Sequence, residues 1–168
     1  MASSIMTLQE AARQLESPDH ATRQQAADFL SRQGEEVREV AAPVASHVGD
    51  EDRIVAEYCV AALEEMGPPA EVQLPALAEL LTAAHPDVVY WGATLLGRSG
   101  DAAAPYAQRL ADVAESPLPL PVRQRGIWAL GRIGRRAAPM ATRLRLLAAQ
   151  GPASLQREIA LALASIDS

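Results

Sequence analysis

The 168-residue chain is 49% hydrophobic but only 4% aromatic, has a net charge of −6, and holds one cysteine and no lysine, so all 15 basic side chains are arginine. This composition suits an Ala/Leu-rich helical core; one cysteine excludes an internal disulfide framework, and no apolar run reaches the roughly 18 residues of a membrane-spanning helix. The opening Met1-Ala-Ser-Ser-Ile-Met6 lacks a basic n-region and a long apolar run, so no secretory signal is expected and a reducing, cytoplasmic setting is.

Thr7-Leu-Gln-Glu10 is a capping box, and Leu8, Ala11, Ala12 and Leu15 make one apolar face after it. This predicts a lone helix that caps one end of a stack. Ser17-Pro18-Asp19 starts a helix to about Gln33, and a partner spans about Glu36 to Val48 with a kink at Pro43. Asp50 is expected to cap the next helix, to about Met66. Gly67-Pro68-Pro69 breaks the chain, and a helix follows from about Ala70 to Ala83. His85-Pro86-Asp87 opens a third pair ending near Glu115. Ser116-Pro-Leu-Pro-Leu-Pro121 reads as a stiff extended linker before a fourth pair, which ends near Gln150. Gly151-Pro152 precedes a last helix, Ala153 to Ile166.

These segments recur. Thr22–Gly34, Val55–Gly67, Val88–Gly100 and Val122–Gly134 end on glycines spaced 33, 33 and 34 residues apart, the signature of a stacked repeat. An imperfect fifth copy runs Leu155 to Asp167. The first column holds Thr22, Val55, Val88, Val122 and Leu155, and the ninth holds Leu30, Leu63, Leu96, Leu130 and Leu163. The fifth holds Ala26, Cys59, Gly92, Gly126 and Ile159, mostly small residues. Glycine inside a helix costs roughly 1 kcal/mol against alanine, so its use there implies close helix-to-helix approach. The closing glycines suit the left-handed position after a helix. Prolines Pro43, Pro75, Pro105 and Pro139 each open or interrupt the second segment of a pair.

The stretch Val122-Arg-Gln-Arg-Gly-Ile-Trp-Ala-Leu-Gly-Arg-Ile-Gly134, followed by a proline-led helix, resembles HEAT repeats and is most similar to the short variant of the phycobilin lyases. The resemblance is best in 122–147, looser in 22–48, and covers nearly the whole chain. It implies an all-α, right-handed α-α superhelix, a HEAT-like solenoid of about ten helices in four pairs with terminal capping helices. The organisation expected is one domain, 1–168: a cap at 5–16, units at 17–50, 51–84, 85–116 and 117–150, and a C-terminal cap at 151–168. The scaffold serves many roles and does not by itself name one.

Nothing in the sequence assembles a catalytic or metal centre. His20, His47 and His85 show no i, i+4 ligand spacing, Cys59 sits in the small column of a buried face, and no catalytic residue of the bilin lyases or of HEAT-like DNA glycosylases maps onto this chain. The expectation is a protein that is not an enzyme and has no cofactor and no metal. The resemblance puts second helices on the concave side, where His47, Glu79, Arg109 and Arg143 lie four residues after each proline, with Gln108 and Thr142 one position earlier. These positions form a candidate polar ridge. Tyr90, Trp91 and Arg125 lie in or beside the partly exposed fourth column and are candidate anchors, with Trp128 nearby.

Charge is unevenly placed. Residues 1–84 carry 5 arginines against 15 carboxylates, and residues 85–168 carry 10 arginines against 6. The fourth unit holds Arg123, Arg125, Arg132, Arg135, Arg136, Arg143 and Arg145 and no acid. The reading is a scaffold that binds another protein or a peptide, an acidic one, through its helix-lined surface, with Arg125 and Arg132 among the contacts. The alternatives are polyanion binding by the same arginines, disfavoured for nucleic acid by the acidic first half, and a phycobilin-lyase-like subunit. No membrane contact is expected, and the chain is expected to be a monomer or weak dimer.

Overall fold

A computed structural model describes residues 6–168, so the signal-peptide reading of residues 1–5 and the start of the cap at residue 5 lie outside the described residues. The α-helices are α1 (Leu8–Gln14), α2 (His20–Ser31), α3 (Ala41–Ser46), α4 (Arg53–Glu65), α5 (Leu74–Glu79), α6 (Pro86–Arg98), α7 (Ala107–Glu115), α8 (Leu120–Ile133), α9 (Ala141–Gln150) and α10 (Gln156–Ile166). Among the described residues there is no strand. The chain is an all-α helical repeat protein. It divides into two compact units, one ending at Gln73 and the other spanning Leu74–Ser168, so the second repeat contributes its first helix to one and its second helix to the other.

In the first unit α2 packs against α4, and α1 packs against α2 and α3. Thr7 caps α1 as the sequence predicts, its hydroxyl accepting from the Glu10 amide at 3.1 Å. In the second unit the first helices α6, α8 and α10 lie side by side, and α5, α7 and α9 lie against them. Each second helix packs on the first helix that follows it in sequence: α5 on α6, α7 on α8, α9 on α10, and in the first unit α3 on α4. α1 relates to α2 in the same way, so the lone N-terminal helix takes the place of a second helix.

The small column produces this packing. Ala26, Cys59, Gly92, Gly126 and Ile159 are all buried. A Cβ on Gly92 would meet the Leu77 carbonyl at 3.3 Å, and one on Gly126 would meet the Leu110 carbonyl at 3.0 Å and Val113 Cγ1 at 3.1 Å. Both contacts run from a first helix to the backbone of the second helix before it, the close approach that the sequence implied. A further pair of glycines, in the tenth column, does the same between neighbouring first helices. The Trp128 ring fills the space of a Gly97 Cβ, and Ala162 Cα lies 3.0 Å from that of Gly131.

The connections differ from the sequence reading. The second segments begin as 3-10 turns, Gly34–Val40, Gly100–Tyr106 and Gly134–Met140, before α3, α7 and α9. Pro43 does not kink a long helix. It sits in the first turn of α3, where its missing N–H has no partner to lose, and the break falls at Val40, with φ −130° and ψ 26°. Pro105 and Pro139 lie inside 3-10 turns. Gly34, Gly100 and Gly134 have φ of 57°, 59° and 70°, as a left-handed helix end requires. Gly67 does not, because Pro68 restricts the residue before it to extended backbone.

Asp50 does not cap α4. Asp52 does, accepting from the Ile54 amide at 2.9 Å. Asp50 instead accepts from Arg23 Nε at 3.1 Å and Nη2 at 3.2 Å, and both side chains are buried, 7% and 9% exposed. Arg23 Nη1 donates to the Ser17 carbonyl at 2.9 Å, so one guanidinium ties the start of the first repeat to the start of the second. Hydrogen bonding from Gln24 Nε2, 2.6 Å away, is the main reason the Asp52 carboxyl is held below the usual aspartate range.

Two stability outcomes follow from this packing. Gly126→Leu should lower stability by roughly 1–3 kcal/mol through overpacking against α7, read by thermal denaturation, whereas Gly67→Ala, with open space at its Cβ, should leave the transition where it is. Arg23→Met should lower the melting temperature more than removal of any exposed arginine, because it strands the Asp50 charge; Arg23→Met combined with Asp50→Leu should recover part of the loss.

Candidate binding surface

In the second unit the second helices carry a ladder of charges. Arg109 on α7 donates to Glu79 on α5 at 2.6 Å. Arg143 on α9 reaches back to α7, with Nε to Glu115 at 2.9 Å and Nη2 to Glu115 at 2.6 Å and Asp112 at 2.7 Å. These bonds, Glu115 first, push the Arg143 guanidinium further above its ordinary value. Asp112 and Glu115 fall three and six residues after Arg109, on one face of α7. Two hollows lie along the ladder. One, of about 440 Å³, is lined by Leu81, Thr82, Val113, Ser116 and Leu118 between Glu79, Arg109 and Asp112. The other, of about 230 Å³, is lined by Leu146, Leu147 and Gln150 beside Glu115 and Arg143. Leu146 is 53% exposed at its edge. Gln108 and Thr142 are exposed next to Arg109 and Arg143.

Five of the six predicted ridge residues, Glu79, Gln108, Arg109, Thr142 and Arg143, therefore share one surface. His47 does not behave as a ridge residue. Its side chain is 13% exposed at the end of α3, with Nδ1 2.8 Å from the Pro43 carbonyl and Nε2 3.7 Å from Glu16. Three of the seven arginines of the fourth repeat pair with acids of their neighbours: besides Arg143, Arg145 pairs with Asp167 at 2.8 Å and Arg136 with Asp101 at 3.8 Å, while Arg135 donates to the Ser168 carbonyl.

The first helices of the second unit present a different surface. Arg125 on α8 lies over two rings, its guanidinium carbon 4.7 Å from the Tyr90 ring centre and 4.8 Å from that of Trp128. Its Nη2 donates to the Tyr90 hydroxyl at 2.5 Å. Tyr90, Pro121, Gln124, Arg125, Trp128 and Glu158 line a hollow of about 220 Å³. Trp91 is not a surface anchor as expected. It is 8% exposed, meets the Tyr90 ring edge-on at 6.0 Å, and lies under the Arg98 guanidinium. Residue 91 opens a run of seven buried positions in α6, 91–97. Trp128 is half-buried, its ring seated against Gly97 of α6. Arg132 is exposed one turn further along α8.

Sequence reasoning missed Asp112, Glu115, Leu146 and the contact of Trp128 with Arg125. The i, i+3, i+6 spacing of Arg109, Asp112 and Glu115 was the available signal. Burial pushes the Cys59 thiol up to about 12, with the Asp50 charge adding to it. That thiol should be inert to a disulfide reagent at pH 8 in the native protein and react fully once unfolded; rapid native reaction would mean that α4 opens or that the thiol is activated.

A scan against models of known protein families finds no match, and no curated protein is similar in sequence. Solved structures are similar in fold. An engineered protein superposes with a TM-score of 0.63 at 19% identity, over 98% of this chain and 81% of its own. A designed armadillo repeat protein in complex with the peptide (KR)4 gives 0.62 at 17% identity, over 97% and 83%. The complex of CpcE and CpcF of phycocyanin lyase from Nostoc sp. PCC7120 gives 0.61 at 20% identity, over 99% and 67%. At these identities the likeness establishes the helical repeat fold, HEAT- and armadillo-like, and nothing about chemistry.

Proposed function

We propose that the chain is a non-enzymatic repeat scaffold that binds a segment of another protein along the second-helix surface of residues 74–168. The observation that carries this reading is the ladder Glu79–Arg109 and Asp112/Glu115–Arg143, bordering two hollows with apolar floors. Salt bridges hold the long side chains in fixed positions, so little rotamer entropy remains to be lost when a partner binds. The hollows offer sites for apolar side chains, and Gln108 and Thr142 offer exposed hydrogen-bonding groups to a partner's backbone. The designed armadillo protein bound to (KR)4 supports a peptide as the class of ligand.

An acidic partner is part of the proposal, but not through Arg143, whose donors are held by two carboxylates of α7. Its attraction falls to Arg125 and Arg132, arginines of the fourth repeat that form no ion pair among the described residues. The chain acts as a monomer or weak dimer in a reducing, cytoplasmic setting. The lyase-like reading has a matching scaffold and no matched catalytic residue.

Panning a random peptide library on the full chain tests the proposal. Enriched peptides should bind at least about tenfold more weakly to Leu146→Asp and to Arg109→Ala, with the fold intact because exposed ion pairs contribute about 1 kcal/mol or less. Failure to enrich any peptide, or binding unaffected by both substitutions, would overturn it.

A further inference from the structure

We propose that the outward ridge of α8, Arg125–Trp128–Arg132 with Tyr90 beside it, is a second docking point that takes an acidic peptide segment, one carboxylate seated on the edge of the Arg125 guanidinium. This rests on the reading of the chain as a binding scaffold but uses none of the residues of the second-helix surface.

The two faces treat arginine differently. On the second helices Arg109 and Arg143 are paired with carboxylates of the preceding second helix. On α8, no acid of the described residues forms an ion pair with Arg125 or Arg132. Arg125 is nonetheless held. Its guanidinium carbon lies over the Tyr90 and Trp128 rings, and one N–H is fixed on the Tyr90 hydroxyl. The N–H groups not spent on Tyr90 remain for a ligand, and a carboxylate matches a guanidinium fork in shape and charge. Stacking fixes the side chain in advance, so less rotamer entropy is lost on binding.

The surroundings set the size and kind of occupant. A hollow of about 220 Å³ has room for one side chain rather than a nucleotide chain. Positions 125, 128 and 132 follow i, i+3, i+7 spacing and share one helix face, so the half-exposed Trp128 offers apolar surface between two cations. Glu158 lines the same hollow at more than ion-pair distance from Arg125 and partly offsets its charge. Nucleic-acid binding draws on a run of phosphate contacts, whereas here a single arginine lines a small hollow, with Arg132 further along the helix, on a chain of net charge −6.

The test uses the full chain and a fluorescent glutamate–leucine peptide, its glutamine–leucine counterpart, and a single-stranded oligonucleotide, in about 0.15 M salt. The acidic peptide should bind at least about tenfold tighter than the neutral one. Arg125→Met should remove that preference, Arg132→Gln should weaken it a few-fold, and Glu158→Gln, which takes a negative charge from the hollow, should strengthen it. Leu146→Asp should leave it unchanged, which separates this site from the second-helix surface. Equal binding of the two peptides, no binding of either, or indifference to Arg125→Met would overturn the proposal. Should Arg125→Met fail to fold, the opposite signs expected for the exposed Arg132→Gln and the half-exposed Glu158→Gln decide the matter. Displacement of the acidic peptide by the oligonucleotide at lower concentration would assign the ridge to polyanions instead.

Discussion

The structure depends on how closely a first helix approaches the backbone of the second helix before it. At Gly126 that distance is too tight for a Cβ unless the neighbouring helix gives way, since the Cβ would lie 3.0 Å from the Leu110 carbonyl. Gly92 meets Leu77 in the same way, and Ala26 and Cys59 are buried at the equivalent positions of the first unit. Protein interiors are packed at crystal density, so a column of small residues fixes the spacing of the helices and the registry of everything on their outer faces. The large side chains that fill the rest of the interface, Leu30, Leu63, Leu96 and Leu130, are fully buried one helical turn further along.

That spacing decides which charges meet. The second helices α7 and α9 lie near enough for Arg143 to reach both Asp112 and Glu115, and α5 and α7 near enough for Arg109 to reach Glu79. A repeat that contains seven arginines and no acid is therefore not a free basic patch. Its second helix borrows carboxylates from the repeat before it and from the chain end at Asp167. The first helix has no such lender. Arg125 is satisfied by π-faces, which hold a cation without neutralising it, and this difference separates a preorganised ladder on one face from uncompensated charge on the other.

In the first unit the corresponding work falls to one buried ion pair. Arg23 joins Asp50 and the Ser17 carbonyl, using the guanidinium fork to connect two helix starts. Arg123 stands in the same column of the fourth repeat and also donates to a main-chain carbonyl, that of Ala114, at 2.9 Å. In these two repeats the second position is an arginine that donates to backbone ahead of its own helix; in the others it is Ala56, Val89 and Gln156.

The sequence by itself determined the helical class, the repeat period, the buried columns and the α1 cap, because each of these is set by local periodicity and by residues with one physical use, such as Thr7 at a helix start or Gly134 at φ 70°. It also placed Gln108, Arg109, Thr142 and Arg143 on a common surface, since a repeat carries equivalent positions to equivalent places. Only the tertiary structure decided which of those charges are spent on one another, that Trp91 faces inward while Arg125 lies over Trp128, that His47 closes a helix end, and that Asp50 serves Arg23 rather than α4. The ion pairs depend on side chains 27 to 31 residues apart along the chain being brought within hydrogen-bond distance, and helical periodicity fixes which face a residue is on but not what stands opposite it.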